Sequence, residues 1–161
     1  MGSLFFSQCK PEEFNDPIEP VISLEKITLL KDSTGKDSLI SVTLEFSDGD
    51  GDFGLNNDDT MSPFRFGEPY LNNMWITLEY KDANNNWITA SNDSLGLDQR
   101  VPRLTPEGKY KSIRGSITLF INPKPTPTFS HELVRYSFVM VDRGLHESNK
   151  VTSEEIRLNP Q

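Results

Sequence analysis

Residues 39–46 set the terms for the fold. Ile40, Val42, Leu44 and Phe46 are apolar, and the residues between them, Ser41, Thr43 and Glu45, are polar. Successive side chains of a strand point to opposite faces, so this segment reads as a strand with one buried and one wet face. The same two-residue rhythm recurs along the chain. Val21–Leu30 reads as a first strand, Met74–Tyr80 as a third and Trp87–Ala90 as a fourth. Tyr110–Ile121, Leu133–Val141 and Val151–Leu158 complete the set. Asn84, Asn85 and Asn86 tolerate positive φ and predict a hairpin between the third and fourth strands. Gly115 inside the fifth predicts a bulge or a close backbone approach. No stretch keeps a helical period between two caps. About seven strands joined by Pro- and Asn-rich connections predict an all-β chain folded as an antiparallel β-sandwich. Trp75 stands where such sandwiches often bury a tryptophan, although ordinary core and edge packing is expected of it and of Trp87.

Composition bounds the rest. A chain of 161 residues suits one domain. Only 35% of the residues are hydrophobic, so the core must be economical and much of the chain loop. The net charge of −8 argues against nucleic acid, whose binding surfaces need clustered Lys and Arg. It also argues against docking on an anionic membrane through a basic face. No apolar run is long enough to span a bilayer as a helix. One cysteine excludes an intrachain disulfide and a cysteine-rich zinc site.

That cysteine sits at an informative place. Cys9 follows Leu4-Phe5-Phe6-Ser7-Gln8 and precedes Lys10-Pro11-Glu12-Glu13. A short apolar stretch ending in Cys before a polar segment resembles the end of a bacterial lipoprotein signal peptide, here truncated. Gln8 departs from the small residue usual before the cysteine. The acidic pair after Cys9 is similar to the export tag of Bacteroidetes surface lipoproteins. Residues 1–19 are thus expected to be a signal remnant and an extended tether, and residues 20–161 the folded domain. The competing reading of the arm is a plain N-terminal extension with a free thiol.

Three further segments carry a family resemblance. They are Phe46–Leu55 (FSDGDGDFGL), Arg103–Gly108 leading into Ile113–Ile117, and Tyr136–Gly144 through Ser148–Thr152. The set resembles uncharacterised Bacteroidetes lipoproteins with an immunoglobulin-like domain. Leu145-His146-Glu147 departs from the shorter turn common there. The resemblance implies an Ig-like sandwich and a lipid anchor on Cys9. The expected location is the bacterial outer membrane, at the cell surface or on the periplasmic side. It brings no established activity with it.

The segment Asp48–Gly54 matches GxGxxG by letters alone. Asp50 and Asp52 would repel a phosphate, and no helix follows to receive one. Calcium fits better, because it takes six to eight oxygens held on a tightly curved backbone. Asp48, Asp50 and Asp52 alternate with Gly49 and Gly51, a spacing similar to the start of EF-hand and thrombospondin type 3 calcium loops. Counting on, Gly54 falls at the carbonyl position, Asn56 at the water-mediated one and Asp59 at the closing acid. Phe53 stands where an EF-hand needs glycine, so only the carboxylate-rich loop survives of that motif. The second and sixth strands of an Ig sandwich run the same way. Asp142 should then lie at the same end and complete a metal site, or Arg143 should neutralise the acids without metal. A metal-free Asp/Gly turn stays open beside the calcium reading.

Catalysis finds little support. His131 and His146 fall in predicted loops, and neither belongs to an HExxH motif. No GxSxG elbow is present. Glu154 and Glu155 would point to opposite faces of a strand. The loop Thr60–Asn73 carries Met61, Phe64, Phe66 and Tyr70. These side chains are expected to fold back as a lid on the sandwich, with stacking of the aromatics on a sugar or anchoring of a protein as the functional alternative. The chain is therefore read as a non-enzymatic envelope lipoprotein, a binding or structural accessory module open to calcium stabilisation, with an envelope protein or glycan as its expected partner. The alternatives are a calcium-dependent carbohydrate-binding module and a small hydrolase.

Overall fold

The computed structural model describes residues 16–90, 95–104 and 111–159. Cys9 and most of the expected tether lie outside them. The described residues are all-β, with eight strands in two antiparallel sheets. They are β1 (Val21–Lys31), β2 (Asp37–Asp48), β3 (Met74–Lys81), β4 (Trp87–Thr89), β5 (Ile113–Ile121), β6 (Leu133–Met140), β7 (Val151–Thr152) and β8 (Ile156–Arg157). One sheet has the order β1-β2-β5; the other runs β4-β3-β6-β7, with β8 also paired to β6. First, second and fifth strands thus face third, sixth and last, as in an immunoglobulin-like sandwich, and β4 joins β3 rather than β5. No helix among the described residues is long and apolar enough to cross a membrane.

Alternation builds the core. Ile40, Val42, Leu44 and Phe46 of β2 are buried, as are Met74, Ile76 and Leu78 of β3. Together with Tyr136, Phe138 and Met140 of β6 they form one apolar cluster between the sheets. Trp75 therefore points away from the core. Its ring lies 5.9 Å from Tyr70, its indole N–H donates to Asn72 O at 3.2 Å, and Ile76 fills the interior in its place. Gly115 makes a close approach without a register shift, because a Cβ there would press on the Phe46 ring. Asn85 adopts φ 65° in the expected hairpin turn.

The last strand is broken where one continuous strand was expected. Ser153 separates β7 from β8 because its hydroxyl accepts the Tyr136 N–H at 3.0 Å. Ser148 does the same for the Met140 N–H at 2.9 Å. Two hydroxyls thus complete the β6 edge where backbone carbonyls would otherwise serve.

Strands β2 and β6 both end at one pole of the sandwich. Met74 at the start of β3 pairs with Met140 at the end of β6, which fixes the turn beyond Met140 beside the β2–β3 connection. The N-terminal segment reaches the same pole: Gly49 N–H donates to Pro17 O at 2.8 Å. Asp16 is gripped there by Arg114, at 2.7 and 3.0 Å, and by the Ser112 hydroxyl at 2.6 Å.

Candidate metal centre

Strand β2 delivers Asp48 into this pole, fully buried, and the segment after β6 delivers Asp142 at 1% exposure. Between them, the turn beginning at Gly49 carries Asp50 and Asp52. Gly51 has φ +73°, and a Cβ there would overlap the Lys111 carbonyl oxygen. Only glycine lets the backbone curve this tightly against that neighbour. The curvature folds the carboxylates inward. One oxygen from each of Asp48, Asp50, Asp52 and Asp142 lies within 4.8 Å of the others, a group that could hold a metal ion.

Each end of the cluster is oriented by donors from its own chain. Phe53 N–H donates to Asp48 Oδ2 at 2.9 Å. The backbone N–H groups of Arg143 and Gly144 donate to Asp52. His146 N–H donates to Asp142 Oδ1 at 2.8 Å, and its ring Nδ1 lies 2.9 Å from Oδ2. These bonds leave Oδ1 of Asp48, Asp50 and Asp52 buried with no partner. Burial pushes the Asp48 carboxyl up to about 7, helped by Asp50 and Asp52 and opposed by the Phe53 N–H. Burial with the charges of Asp142 and Asp50 pushes Asp52 up to about 6, against the Gly144 and Arg143 N–H bonds. His146 is raised by its bond to Asp142. Four acids thus converge with too few donors, and buried carboxylates without partners are costly. A hard cation at the convergence would satisfy all three orphaned oxygens at once. The donors offered by the four are carboxylate oxygens alone, the set suited to hard ions rather than to zinc or copper.

The expected ligand run breaks after Gly54. Leu55 is buried and ties into the segment after β4, with its N–H on Val101 O at 3.0 Å and its carbonyl taking the Arg103 N–H at 3.1 Å. That anchor carries Asn56–Asp59 away from the cluster. Asp59, read as the closing acid, lies outside the four. It pairs instead with the Arg143 guanidinium and accepts the Asn56 N–H at 2.6 Å. Asn56, read as the water-mediated ligand, has its N–H on Asp59 and its carbonyl on Arg100 at 2.9 Å. The two roles weighed for the 142–143 pair are thus divided. Asp142 joins the acids, while the Arg143 side chain serves Asp59.

No family model, curated protein or solved structure matches this chain.

The aromatic loop only partly forms the expected lid. Phe64, Tyr70 and Leu71 are half-buried, but Met61 is 78% and Phe66 90% exposed. Of the two histidines expected in loops, His131 stacks on Tyr80 at 3.6 Å and His146 holds Asp142. Two contributors escaped the sequence reading. His146 was visible only as a residue four positions beyond Asp142, the reach of a tight turn. Arg100 gave no local signal, yet it donates to Leu71 O at 2.6 Å and to Asn56 O and Asp59 O at 2.9 Å.

Proposed function

We propose that this chain is a non-catalytic, calcium-stabilised β-sandwich module of the bacterial envelope, tethered by a lipid on Cys9. The observation that carries the cation part is the trio of buried, unpartnered oxygens on Asp48, Asp50 and Asp52, facing Asp142. Calcium is preferred over magnesium because it accepts irregular shells of six to eight oxygens, whereas magnesium demands an octahedron and keeps its waters. The role assigned to the ion is structural. It joins the β2–β3 connection to the turn after β6, beside the point where Pro17 meets Gly49. A tether leaving toward Cys9 would emerge at that pole, so the bound ion would stiffen the domain on its stalk. The lipid anchor and the envelope location rest on the sequence around Cys9.

The test is a thermal melt of the non-lipidated chain in millimolar calcium, in magnesium and in chelator. A ligand that binds only the folded state stabilises it by RT ln(1 + [L]/Kd), about 1–3 kcal/mol at roughly 10 to 100 times Kd. The expected result is a rise in Tm with calcium, reversed by chelator and smaller with magnesium. An unchanged Tm at about ten times the millimolar upper end of extracellular calcium affinities would overturn the reading.

A further inference from the structure

Beyond the acids, the β2–β3 connection builds a second feature. A pocket of about 530 Å³ opens against it, lined by apolar Phe64, Phe66 and Leu71 and by polar Asn57, Asp59 and Thr60. That size falls within the about 300–1,000 Å³ usual for small-molecule sites, which combine apolar walls with a few polar groups. Phe66 stands almost wholly in solvent, in a chain whose apolar residues are scarce. The loop beneath it is firmly held. Arg100 takes three of its carbonyls, and Arg143 takes Asp59. An exposed ring on a fixed base is a stacking platform rather than a loose end.

The charges around the pocket identify the kind of occupant. Arg100 is engaged with backbone carbonyls, Arg65 pairs with Glu68 at 2.9 Å and Asp59 pairs with Arg143. Each charged side chain lining the pocket thus already has a partner in the fold, and the overall −8 repels anions. A neutral molecule with one apolar face and a polar edge is what remains. A sugar ring has that form: its C–H face lies on an aromatic ring while its hydroxyls reach amide, hydroxyl and carboxylate groups.

We infer that this pocket binds a neutral oligosaccharide through Phe66 and Phe64, and that the acidic centre holds the pocket in shape. The link is short. Asp52 binds the backbone N–H of Arg143, whose side chain holds Asp59 on the pocket wall. Arg143 is a positioning residue in this account. The ion dependence rests on the proposed calcium reading, whereas the sugar pocket stands on its own lining.

The experiment is saturation-transfer NMR on the full chain with maltotetraose, cellotetraose, mannotetraose and chitotetraose, in calcium and in chelator. At least one sugar is expected to receive saturation in calcium. Phe66→Ala should cut affinity roughly tenfold while leaving the calcium melt unchanged, since that side chain supports nothing in the fold. Arg143→Ala keeps the backbone N–H groups on Asp52, so it should preserve the calcium melt and weaken sugar binding. Silence from all four sugars overturns the inference, as does undiminished binding to Phe66→Ala. Sugar binding that is equal in calcium and chelator overturns the link to the acidic centre. A flat calcium melt with sugar bound removes the cation reading alone.

Discussion

Asp48 and Asp59 make a controlled pair. One ends β2, the other lies on the connection that follows, and both are shielded from solvent to differing degrees. Burial pushes Asp59 up, but hydrogen bonds from Arg143 and the Asn56 N–H outweigh it, and its carboxyl lies below the usual range. At Asp48 burial acts with neighbouring acids instead of against a cation, and the carboxyl rises to about 7. The same side chain, at the end of β2 or on the connection after it, is thus either a finished ion pair or an open valence. What differs is whether the fold brings a guanidinium or three more carboxylates.

The largest effect should come from removing the turn that gathers the acids. Gly51→Ala places a Cβ on the Lys111 carbonyl at a φ of +73°. It should cost about 3 kcal/mol or more and abolish any calcium response. Denaturant melts with and without calcium read both effects. Asp48→Asn sharpens the contrast by changing sign with conditions. In chelator it removes a buried, repelled charge and should raise Tm. In calcium it should fall below the wild type by about the 1–3 kcal/mol that a bound ion would contribute.

Titration separates the two acids without mutation. Asp48 and Asp52 hold protons in the fold at pH values where the unfolded chain has lost them. Their contribution is fully present below the ordinary carboxylate value of 3.8 and is lost as pH rises through about 6 and 7. Asp59, lowered in the fold, acts only on the acid side of that window. In chelator, Tm should therefore decline from about pH 4 to about pH 7, and calcium should flatten the decline. A chelator profile that rises through this window would contradict the account of the acidic pole. The smallest effect concerns the turn that presents Asp142. Leu145 sits at φ 67°, a region disfavoured for a residue with a Cβ. Leu145→Gly should gain up to about 1 kcal/mol, less the backbone entropy glycine loses on folding, with calcium binding unchanged by calorimetry.

Much of the fold was legible in the chain. The alternation at Ile40–Phe46 and Met74–Tyr80 needs only the pleat to be read, because each residue's face follows from its neighbours. The break at Ser153 was not legible, because a hydroxyl standing in for a carbonyl depends on Tyr136 coming alongside. The acidic turn was half legible. Its Asp/Gly spacing marked Asp48, Asp50 and Asp52, and strand order placed Asp142 with them.

The sequence by itself determined the two-sheet architecture and the density of carboxylates at one pole, both products of local pattern. Tertiary structure decided which carboxylates face each other. Leu55, buried against the segment carrying Val101 and Arg103, turned the chain so that Asp59 met Arg143 and the other four met one another. It also decided that Phe66 would stand in water beside a pocket rather than close over the core. Electrostatic energy depends on distance between groups far apart in the chain, and only the packed fold sets those distances.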